Sequence, residues 1–488
     1  MSIPSLATIN NYQPVIGLEV HAQLLTESKI FSPEIAAYGG EPNTHLGPIS
    51  VGHPGTLPFF NKKALELAIR MGLATNCQIQ ERNEFSRKHY FYADLPKGYQ
   101  ITQMDMPICY NGHLDIAVNG ETKRIRINRI HLEEDAGKST HDIDPSNTLV
   151  DLNRAGTPLI EIVTEPDIRS ADEAYAYLAE IRKLVRWLGI CDGNMEEGSL
   201  RCDANVSVML NGATQYGQRA EVKNLNSVRN LKRAIEHEVM RQIDVLESGG
   251  KIVQETRSFD ADNGTTFSLR SKEDADDYRY FPEPDLPPVL VSQSYIDGIN
   301  STLPALPQEL YKKFINEHGL PASDAKILTE ERDIALFYVN LTGFTNNYKA
   351  AANWVIHNVQ AYLNEKGVEI AKFPITFEHL AGLINMIDDG AVSYTIANQQ
   401  LFPAMLLQPE KAPQVLAEEL NLIQQRDVAV IGSIVQQILD NNPNEVARFR
   451  NGEQKLQGFF MGLVMKASKG IADPKAATQV LIEKLNQK

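Results

Sequence analysis

The sequence predicts an α+β fold, with an antiparallel sheet that carries helices on one face and a C-terminal part that is all helix. Several short runs in roughly the first 290 residues alternate polar and apolar residues, which is typical of strands with one face on a core. In the C-terminal part apolar residues recur at three- and four-residue spacing. Between the two parts lies FPEPDLPPVL, Phe281–Leu290, whose four prolines interrupt helices and central strands.

The first predicted strand, VIGLEVHAQL, has one apolar face and one polar face. The apolar face consists of Ile16, Leu18, Val20, Ala22 and Leu24, and the polar face of Gly17, Glu19, His21 and Gln23. Polar faces of antiparallel sheets normally contact water. A solvated face, however, more often carries β-branched polar residues and scattered lysines than an acid next to an imidazole.

The next distinctive run, SRKHYFYADLPKGYQITQ (Ser86–Gln103), interleaves cations with aromatic rings. The cations are Arg87, Lys88 and Lys97, and the rings are Tyr90, Phe91, Tyr92 and Tyr99. Aromatic faces beside cations suit the stacked bases and phosphates of a splayed-out RNA end. Ordinary packing of aromatic residues in strands and turns explains the same pattern, and the run taken alone favours packing.

Three adjacent acids, Glu133, Glu134 and Asp135, follow an apolar strand-like run in IHLEEDAGKS. Two carboxylates about 4 Å apart repel by roughly 1 kcal/mol in water and about 4 kcal/mol at an effective dielectric of 20. The three acids are therefore expected either to lie in open solvent or to face a positive charge.

Three later runs, TPLIEIVTE, SLRCDANVSV and RAEVKNL, repeat the alternation. Their polar faces include Glu161, Asp203 and Asn205. For the last run the predicted faces are Arg219, Glu221 and Lys223 on one side and Ala220, Val222 and Asn224 on the other. If these strands are neighbours, their acids converge with Glu19 and His21, and oxygen-rich ligation with few thiols suits Mg²⁺ or Mn²⁺ rather than zinc. A merely solvated polar face is the alternative.

Three helices are predicted to cover the apolar face of the sheet. SADEAYAYLAEIRKLVRWLG starts at the N-cap Ser170, has Glu173 as its capping-box partner, and ends at Gly189. NKKALELAIRMGLATN, from Asn61, and SVRNLKRAIEHEVMRQIDVLESGG, from Ser227, are similar.

Further helices are predicted in the C-terminal part, in Thr376–Gly390, Asp427–Pro443 and Gln457–Gly470. A boundary near residue 300 and a weaker one near Pro403–Pro409 divide the chain into predicted domains 1–300, 301–408 and 409–488.

Composition narrows the class of protein. A chain of 488 residues is too long for one core, and 43% apolar with 22% charged residues is typical of globular proteins. No apolar stretch reaches the roughly 18–20 residues of a membrane helix, and no targeting segment is recognisable, so a cytoplasmic location without a membrane partner is expected. The net charge of −15 argues against non-specific coating of nucleic acid, although RNA bound through shape and local contacts stays possible.

Several kinds of catalytic site are missing from the sequence. There is no G-x-x-x-x-G-K-[ST] phosphate loop, no G-x-S-x-G elbow and no Ser/Lys-rich glycine loop of the amidase kind. The four cysteines are widely spaced and form no C-x-x-C pair. We therefore predict neither a P-loop nucleotide site nor a serine or cysteine nucleophile of these kinds in this chain.

Six motifs, in order, closely resemble those of the B-subunit family of tRNA-dependent amidotransferases, which convert Glu-tRNA(Gln) to Gln-tRNA(Gln) and Asp-tRNA(Asn) to Asn-tRNA(Asn). They are VIGLEVHAQL, HLEEDAGKS, DLNRAGTPLIEIVTEPD, MEEGSLRCDANVSV, EVKNLNS and DDYRYFPEPDL. The likeness continues through AANWV and the C-terminal DNNP…MKASKG, and so spans nearly the whole chain.

The resemblance implies an N-terminal cradle domain, a helical middle domain and a helical tail that grips tRNA. It also implies a heterotrimer with an amidase A subunit and a small C subunit, ATP as co-substrate, and Mg²⁺, for which Mn²⁺ can substitute. The family's metal site maps onto His21, Glu134 and Glu161, with Glu19 and Glu133 close by, and its polar pocket onto Lys88 and Asp203. Zinc-binding members carry cysteines before HPGTLP; the segment here, residues 29–58, has none, so no zinc is expected.

The implied chemistry suits these residues, with Glu133, Glu134, Lys88 and Asp203 as the expected catalytic groups. A side-chain carboxylate is a poor electrophile until ATP phosphorylates it, and ammonia then displaces the phosphate. Two alternatives stay open: a non-catalytic tRNA-binding adaptor of the same complex, and a stand-alone metal-dependent phosphotransferase.

Overall fold

The computed structural model describes residues 11–141, 143–144, 146–271, 278–424, 427–468 and 470–486. The chain divides into two compact units, residues 1–306 and 307–488. The three-domain division predicted from the sequence stays a prediction. Asp276, Asp277 and Lys469, which belong to two of the motifs above, lie outside the described residues.

The first unit is built on a large sheet. Its strands, in chain order, are β1 (Tyr12–Gln23), β2 (Gln78–Ile79), β3 (Arg82–Asn83), β4 (Ser86–His89), β5 (Tyr99–Thr102), β6 (Cys109–Val118), β7 (Glu121–Glu134), β8 (Lys138–Thr140), β9 (Leu149–Asp151), β10 (Pro158–Thr164), β11 (Leu200–Leu210), β12 (Ala220–Leu225), β13 (Glu255–Asp260), β14 (Thr265–Ser271), β15 (Arg279–Pro282) and β16 (Val289–Leu290). Four helices accompany them: α1 (Lys62–Ala74), α2 (Ala171–Trp187), α3 (Val228–Glu247) and α4 (Gln293–Ser301).

Twelve of the described strands form one sheet in the order β14-β13-β12-β11-β1-β10-β7-β5-β4-β15, with β6 paired to β7 and β2 to β6. The pairings are antiparallel except for β12 with β13. Strand β1 lies between β10 and β11, so segments far apart in sequence flank it directly. The predicted α+β class is confirmed, with this one parallel pair in the sheet.

The apolar residues of β1 predicted to face the core are all buried, and they join the buried residues of α1, α2 and α3 in one cluster. The helices begin where the sequence predicts. Asn61 caps α1, Ser170 caps α2 and Ser227 caps α3, each accepting a backbone N–H of the first turn. Gly189, just beyond α2, has φ +65°, a conformation that favours glycine.

One prediction within β12 is wrong. Asn224 was placed on the apolar face, but it is exposed and its φ is +64°. The register between β11 and β12 shifts between Cys202 and Ala204, so Leu225 takes the buried position instead. An irregularity of this kind breaks the two-residue period from which the prediction was made.

The described part of the second unit contains only helices as regular elements, as predicted. The α-helices are Pro307–Asn316, Ala322–Leu328, Arg332–Leu341, Tyr348–Asn353, Gln360–Lys366, Phe377–Asp388, Tyr394–Ile396, Phe402–Leu407, Pro413–Glu419, Val428–Asn441, Pro443–Arg450, Leu456–Ala467 and Pro474–Asn486. Trp354–Val359 and Ala397–Leu401 are π-helical, and Ile370–Lys372 is a 3₁₀ turn. None of the helices in the described residues combines the length and apolar character that crossing a membrane requires.

Candidate active site

The polar face of the sheet aligns four side chains from four strands. Arg201 of β11 pairs with His21 of β1, His21 pairs with Glu161 of β10, and Glu161 pairs with His131 of β7. Directly paired residues of antiparallel strands carry their Cβ atoms about 4.5–5.5 Å apart on the same face. The predicted convergence of His21 and Glu161 is therefore present, because β1 lies between β10 and β11.

Two imidazoles and two carboxylates meet at the centre of this face. His21 Nε2 lies 3.5 Å from Glu161 Oε2 and 3.8 Å from Glu133 Oε1. His131 Nε2 lies 3.2 Å from Glu161 Oε2 and 3.7 Å from Glu133 Oε2. The side chain of Glu133 is 6% exposed and that of Glu161 13% exposed, so two carboxylates lie close together with little water.

The carboxylates and imidazoles of this cluster shift one another's pKa values. Burial favours the neutral forms, but the two imidazoles outweigh it and lower the pKa of Glu161. Burial likewise opposes charging of His131, but Glu161 and Glu133 raise the pKa of His131 to about 9. A contact with Arg129 opposes that protonation. Arg129 Nε donates a hydrogen bond to His131 Nδ1 at 3.4 Å, and Nδ1 can accept it only when the imidazole is neutral.

Glu134, the middle acid of the triplet, has a different partner. Lys97 Nζ donates to both of its oxygens, at 2.5 and 2.6 Å, and the backbone N–H of Ile101 donates to Oε1 at 2.8 Å. Both side chains of this ion pair are nearly buried, Lys97 at 9% and Glu134 at 5% exposed. Glu134, expected as a metal ligand, is thus held in a separate pair, while Glu133 lies beside His21 and Glu161.

Asp135, the third acid, is held by arginine. Arg201 Nη2 donates to Asp135 Oδ2 at 2.8 Å, and Gln23 Nε2 donates to the same oxygen at 2.7 Å. Arg154 Nε lies 3.7 Å from it. The three adjacent acids therefore have three separate sets of partners.

A second acidic group adjoins the first. Glu19, Asp203 and Glu221 each offer an oxygen, all within 4.8 Å of one another. Lys223 Nζ already neutralises much of this charge, at 2.7 Å from Asp203 and 2.9 Å from Glu221. Burial, followed by the charges of Glu161 and the other two acids, raises the pKa of Glu19.

Lys88 lies at the edge of the first cluster, on β4. Its Nζ is 4.8 Å from the centre of the Tyr278 ring. Burial opposes its charge, but Glu133 and other neighbours raise the pKa of Lys88, so it is a cation beside the acids. The pocket role that the resemblance implies for Lys88 stays a prediction.

The other cations of the aromatic run are engaged by carboxylates. Arg87 bonds Glu283 and Asp285 and lies 4.4 Å from the centre of the Tyr99 ring, and Lys97 bonds Glu134. These contacts support the packing interpretation of the run, while the ring of Phe91 is 88% exposed. RNA stacking there stays a prediction.

A divalent cation suits the first cluster. His21, Glu133 and Glu161 each offer a ligand atom within 4.8 Å of the others. In the described residues, the ion pairs of Glu133 and Glu161 are all with imidazoles. Two nearly buried carboxylates whose ion pairs in the described part of the chain are with imidazoles, next to one ligating nitrogen, form a donor set that fits Mg²⁺ or Mn²⁺.

Two residues of this site were not predicted. His131 is two residues before Glu133 on the same strand, so alternation alone places both on one face. Arg201 lies on the polar face of SLRCDANVSV by the same alternation as Asp203, but the pattern does not indicate a role for it. Its place beside His21 depends on strand order and register, which the sequence does not specify.

Comparison with known proteins relates the chain to one family. A family model described as the GatB/GatE catalytic domain matches residues 14–297, and one described as a GatB domain matches residues 336–485. The B subunit of the aspartyl/glutamyl-tRNA(Asn/Gln) amidotransferase of Geobacter sulfurreducens is 52% identical over 478 residues, covering 97% of this chain and 99% of the relative. The proteins of the same name from Syntrophotalea carbinolica and Caldicellulosiruptor saccharolyticus are each 50% identical, covering 98% of this chain and 99% of the relatives. With matches of this extent in both its parts, the chain belongs to the GatB/GatE family.

Proposed function

We propose that this chain is the catalytic B subunit of a glutamine-hydrolysing, ATP-dependent tRNA amidotransferase. It phosphorylates the side-chain carboxylate of Glu-tRNA(Gln) or Asp-tRNA(Asn) and then amidates it. The names of the relatives support the amidotransferase activity, the tRNA substrates and the membership of a multi-subunit enzyme. The observation that carries the proposal is the nearly buried cluster of His21, Glu133, Glu161 and His131, which suits phosphate chemistry that needs a divalent cation.

In this proposal, His21, Glu133 and Glu161 would hold Mg²⁺, for which Mn²⁺ could substitute. The geometry favours Glu133 over Glu134 as the ligand from β7, because both oxygens of Glu134 bond Lys97. Such an ion would supply positive charge to offset the negative charge of the ATP phosphate oxygens. Glu134 and Lys97 then act as an ion pair that fixes the end of β7 beside the site.

The reaction has two steps. In the first, a side-chain carboxylate oxygen of the aminoacyl group bonds to the γ-phosphorus of ATP, the bond from that phosphorus to the bridging oxygen breaks, and ADP leaves. In the second, the nitrogen of ammonia bonds to the carbonyl carbon, the carbon–oxygen bond to phosphate breaks, and inorganic phosphate leaves. The amine must also lose a proton.

Two carboxylates beside the cluster are candidates to accept that proton. Asp203, one of the expected catalytic groups, is held by Lys223 Nζ at 2.7 Å. Burial and neighbouring acids raise the pKa of Glu19, which suits this carboxylate to accept a proton. Glu19 is also held in orientation by Asn205, whose Nδ2 donates to Oε1 at 2.9 Å.

Lys88 is the cation expected to contact the substrate in this pocket, since it lies beside Glu133 and its pKa is raised. An amidase A subunit is proposed to supply ammonia and a small C subunit to complete the heterotrimer. This assignment agrees with the lack of a glutaminase motif in the sequence.

The test is amidation by the complex that contains Glu161→Gln, with Glu165→Gln as the matched control. Glu165 follows the same strand but bonds Asn128, away from the cluster. We expect Glu161→Gln to lower ATP-dependent amidation by roughly a hundredfold or more while glutamine hydrolysis continues. Glu165→Gln should behave like the unaltered protein.

Other outcomes discriminate the alternatives. Unchanged amidation with Glu161→Gln contradicts the catalytic assignment and favours a tRNA-binding adaptor whose acids are structural. ATP-dependent phosphorylation of the aminoacyl group by this chain without partners favours the stand-alone phosphotransferase.

A further inference from the structure

Arg201, on the polar face of the sheet, has one N–H group without a hydrogen-bond acceptor among the described residues. Arg201 Nε is buried, and among the described residues nothing accepts a hydrogen bond from it. Buried donors in native proteins are nearly always satisfied, and one left unmade costs free energy. The side chain as a whole is 35% exposed, so part of it faces solvent although Nε itself is covered.

The position of Arg201 relates this donor to the candidate active site. Arg201 is paired with His21 across β1 and β11, and Asp203, of the second acidic group, is two residues further along β11 on the same face. Burial disfavours its charge, but Asp135, Glu133 and Asp203 raise the pKa of Arg201, which keeps it a cation. It is therefore a fixed positive charge beside the His21, Glu133 and Glu161 cluster.

The orientation of Arg201 is fixed at one end only. Its Nη2 donates to Asp135 Oδ2 at 2.8 Å, and Gln23 Nε2 holds the same oxygen at 2.7 Å. Asp135 is 4% exposed and its backbone N–H donates to the carbonyl of Thr157, so it is an immobile anchor. A guanidinium has five N–H donors in a rigid plane, and this anchor leaves the Nε donor for another acceptor.

Arg154 contacts the same acid and provides a comparison. Its Nε donates to the carbonyl of Ala136 at 2.9 Å and its Nη2 to the carbonyl of Gly137. Arg154 thus uses its donors to hold the loop after β7. The different use of two arginines around Asp135 indicates that Arg201 does more than neutralise that acid.

We propose that Arg201 is a catalytic residue that binds the anionic oxygens of the transferring phosphoryl group. This inference rests on the proposed function, and it adds a named phosphate ligand. A planar guanidinium suits phosphate oxygens because it donates two parallel hydrogen bonds. The same contact serves both steps, because the phosphoryl group that leaves ATP is the one later released as inorganic phosphate. Asp135 and Gln23 are positioning residues that act through Arg201.

The test compares Arg201→Gln, Arg201→Lys and the matched control Arg154→Gln in the complex with its partner subunits. Each variant is first checked for thermal unfolding and for Mn²⁺ affinity by electron paramagnetic resonance. We expect all three to bind Mn²⁺, because none removes a ligand of the cluster, and Arg201→Gln to bind it no more weakly, because it removes a nearby positive charge. We expect Arg201→Gln to lower kcat/KM for ATP by roughly a hundredfold.

A second measurement needs no turnover. Inorganic phosphate is titrated into the Mn²⁺-loaded complex, and we expect Arg201→Gln to weaken its binding by about tenfold. Arg201→Lys should lie between the two, since it keeps the charge but not the planar pair of donors. Arg154→Gln should stay within about threefold in both assays. Added guanidinium should partly restore the activity of Arg201→Gln.

Several results overturn the inference. One is phosphate affinity and kcat/KM for ATP in Arg201→Gln that match the unaltered complex. Another is an equal loss in Arg154→Gln, which indicates a structural role. A third is a higher KM for Glu-tRNA with unchanged ATP and phosphate behaviour, which places the substrate carboxylate there instead. If Arg201→Gln does not fold, phosphate affinity of Arg201→Lys equal to that of the unaltered complex has the same meaning.

The failure of the proposed function is separable from the failure of this inference. If the unaltered complex shows no ATP-dependent amidation, the proposed function fails, and phosphate binding still tests Arg201. If the unaltered complex is active and Arg201→Gln is equally active, only the role of Arg201 fails.

Discussion

At the scale of single residues, three neighbouring acids coexist because each has its own environment. Glu133 contacts two imidazoles, Glu134 is bonded by Lys97, and Asp135 is bonded by Arg201. Alternation along β7 and the end of the strand at Glu134 separate their directions. The repulsion expected from the sequence is therefore met by three separate sets of partners rather than by one shared cation.

The Lys97–Glu134 pair should make a large contribution to stability that depends on both partners. Lys97→Met leaves Glu134 as an unpaired, nearly buried charge, which costs about 3–5 kcal/mol. Urea unfolding followed by the fluorescence of Trp187, in a Trp354→Phe background, measures this in the first unit, since Trp187 is buried there.

The matched control for this prediction is Lys63→Met. Lys63 also pairs with a glutamate, Glu66, but its side chain is 51% exposed, so the loss should be below about 1 kcal/mol. Similar losses in the two variants would contradict a special role for the buried pair. Adding Glu134→Gln to Lys97→Met should recover part of the loss.

Lys29 should give the first unit an unusual pH dependence. It is fully buried, its Nζ has no hydrogen-bond partner among the described residues, and burial lowers its pKa from 10.5 to about 8. Between these two values the unfolded chain binds more protons than the folded one, so stability rises with pH. We expect Lys29→Met to remove about 1–3 kcal/mol of that rise between pH 8 and 10.

The measurement is the free energy of unfolding at several pH values from 7.5 to 10, in the same Trp354→Phe background. Lys63→Met is again the control and should keep the rise. If Lys29→Met keeps the whole rise as well, Lys29 is protonated normally in the folded protein.

At the scale of elements, the helix N-termini rest on local hydrogen bonds that the sequence already indicates. Ser227 caps α3 by accepting the N–H of Asn230 at 3.0 Å, so Ser227→Ala should cost about 1 kcal/mol. Ser248→Ala at the other end of α3 is the matched control. The Ser248 hydroxyl donates to a carbonyl of the last turn, and removing it should lower the free energy of unfolding by less than half as much as Ser227→Ala does. Equal costs, measured by urea unfolding, would contradict a specific cap.

The elements and their faces were predictable because they depend on local periodicity. The polar positions of β1 and β11 and the caps of α1, α2 and α3 follow from residues within one or two turns. Asn224 was misplaced because a register shift between β11 and β12 interrupts the alternation there. Which of Glu133 and Glu134 faces His21 was likewise not predictable. Neighbouring residues of a strand point to opposite faces of the sheet, and the pairing with other strands decides which face each one takes.

At the scale of the whole molecule, the site exists because the order of the strands in the sheet differs from their order in the sequence. Strand β1 separates β10 from β11, and β10 separates β1 from β7, which brings His21, Glu161 and Arg201 into one row. Strand order and register depend on long-range packing, so the sequence indicated convergence without indicating which partners meet.

The last helices of the second unit form an apolar cluster of their own, which includes Ile431, Val435, Phe460, Val464 and Leu481. If this part grips tRNA, as the family resemblance implies, removing residues 427–488 should raise KM for tRNA by about tenfold and change kcat by less than about threefold. Steady-state amidation at varied tRNA concentration measures both values. A fall in kcat with an unchanged KM would contradict a role in tRNA binding.

The most direct test of the central claim is Mn²⁺ binding to the protein, measured by electron paramagnetic resonance. We expect the unaltered protein and Glu165→Gln to bind one Mn²⁺ with the same affinity, and Glu161→Gln to bind it at least tenfold more weakly. Equal Mn²⁺ affinity in Glu161→Gln and the unaltered protein would contradict the claim that distant strands build a metal site from His21, Glu133 and Glu161.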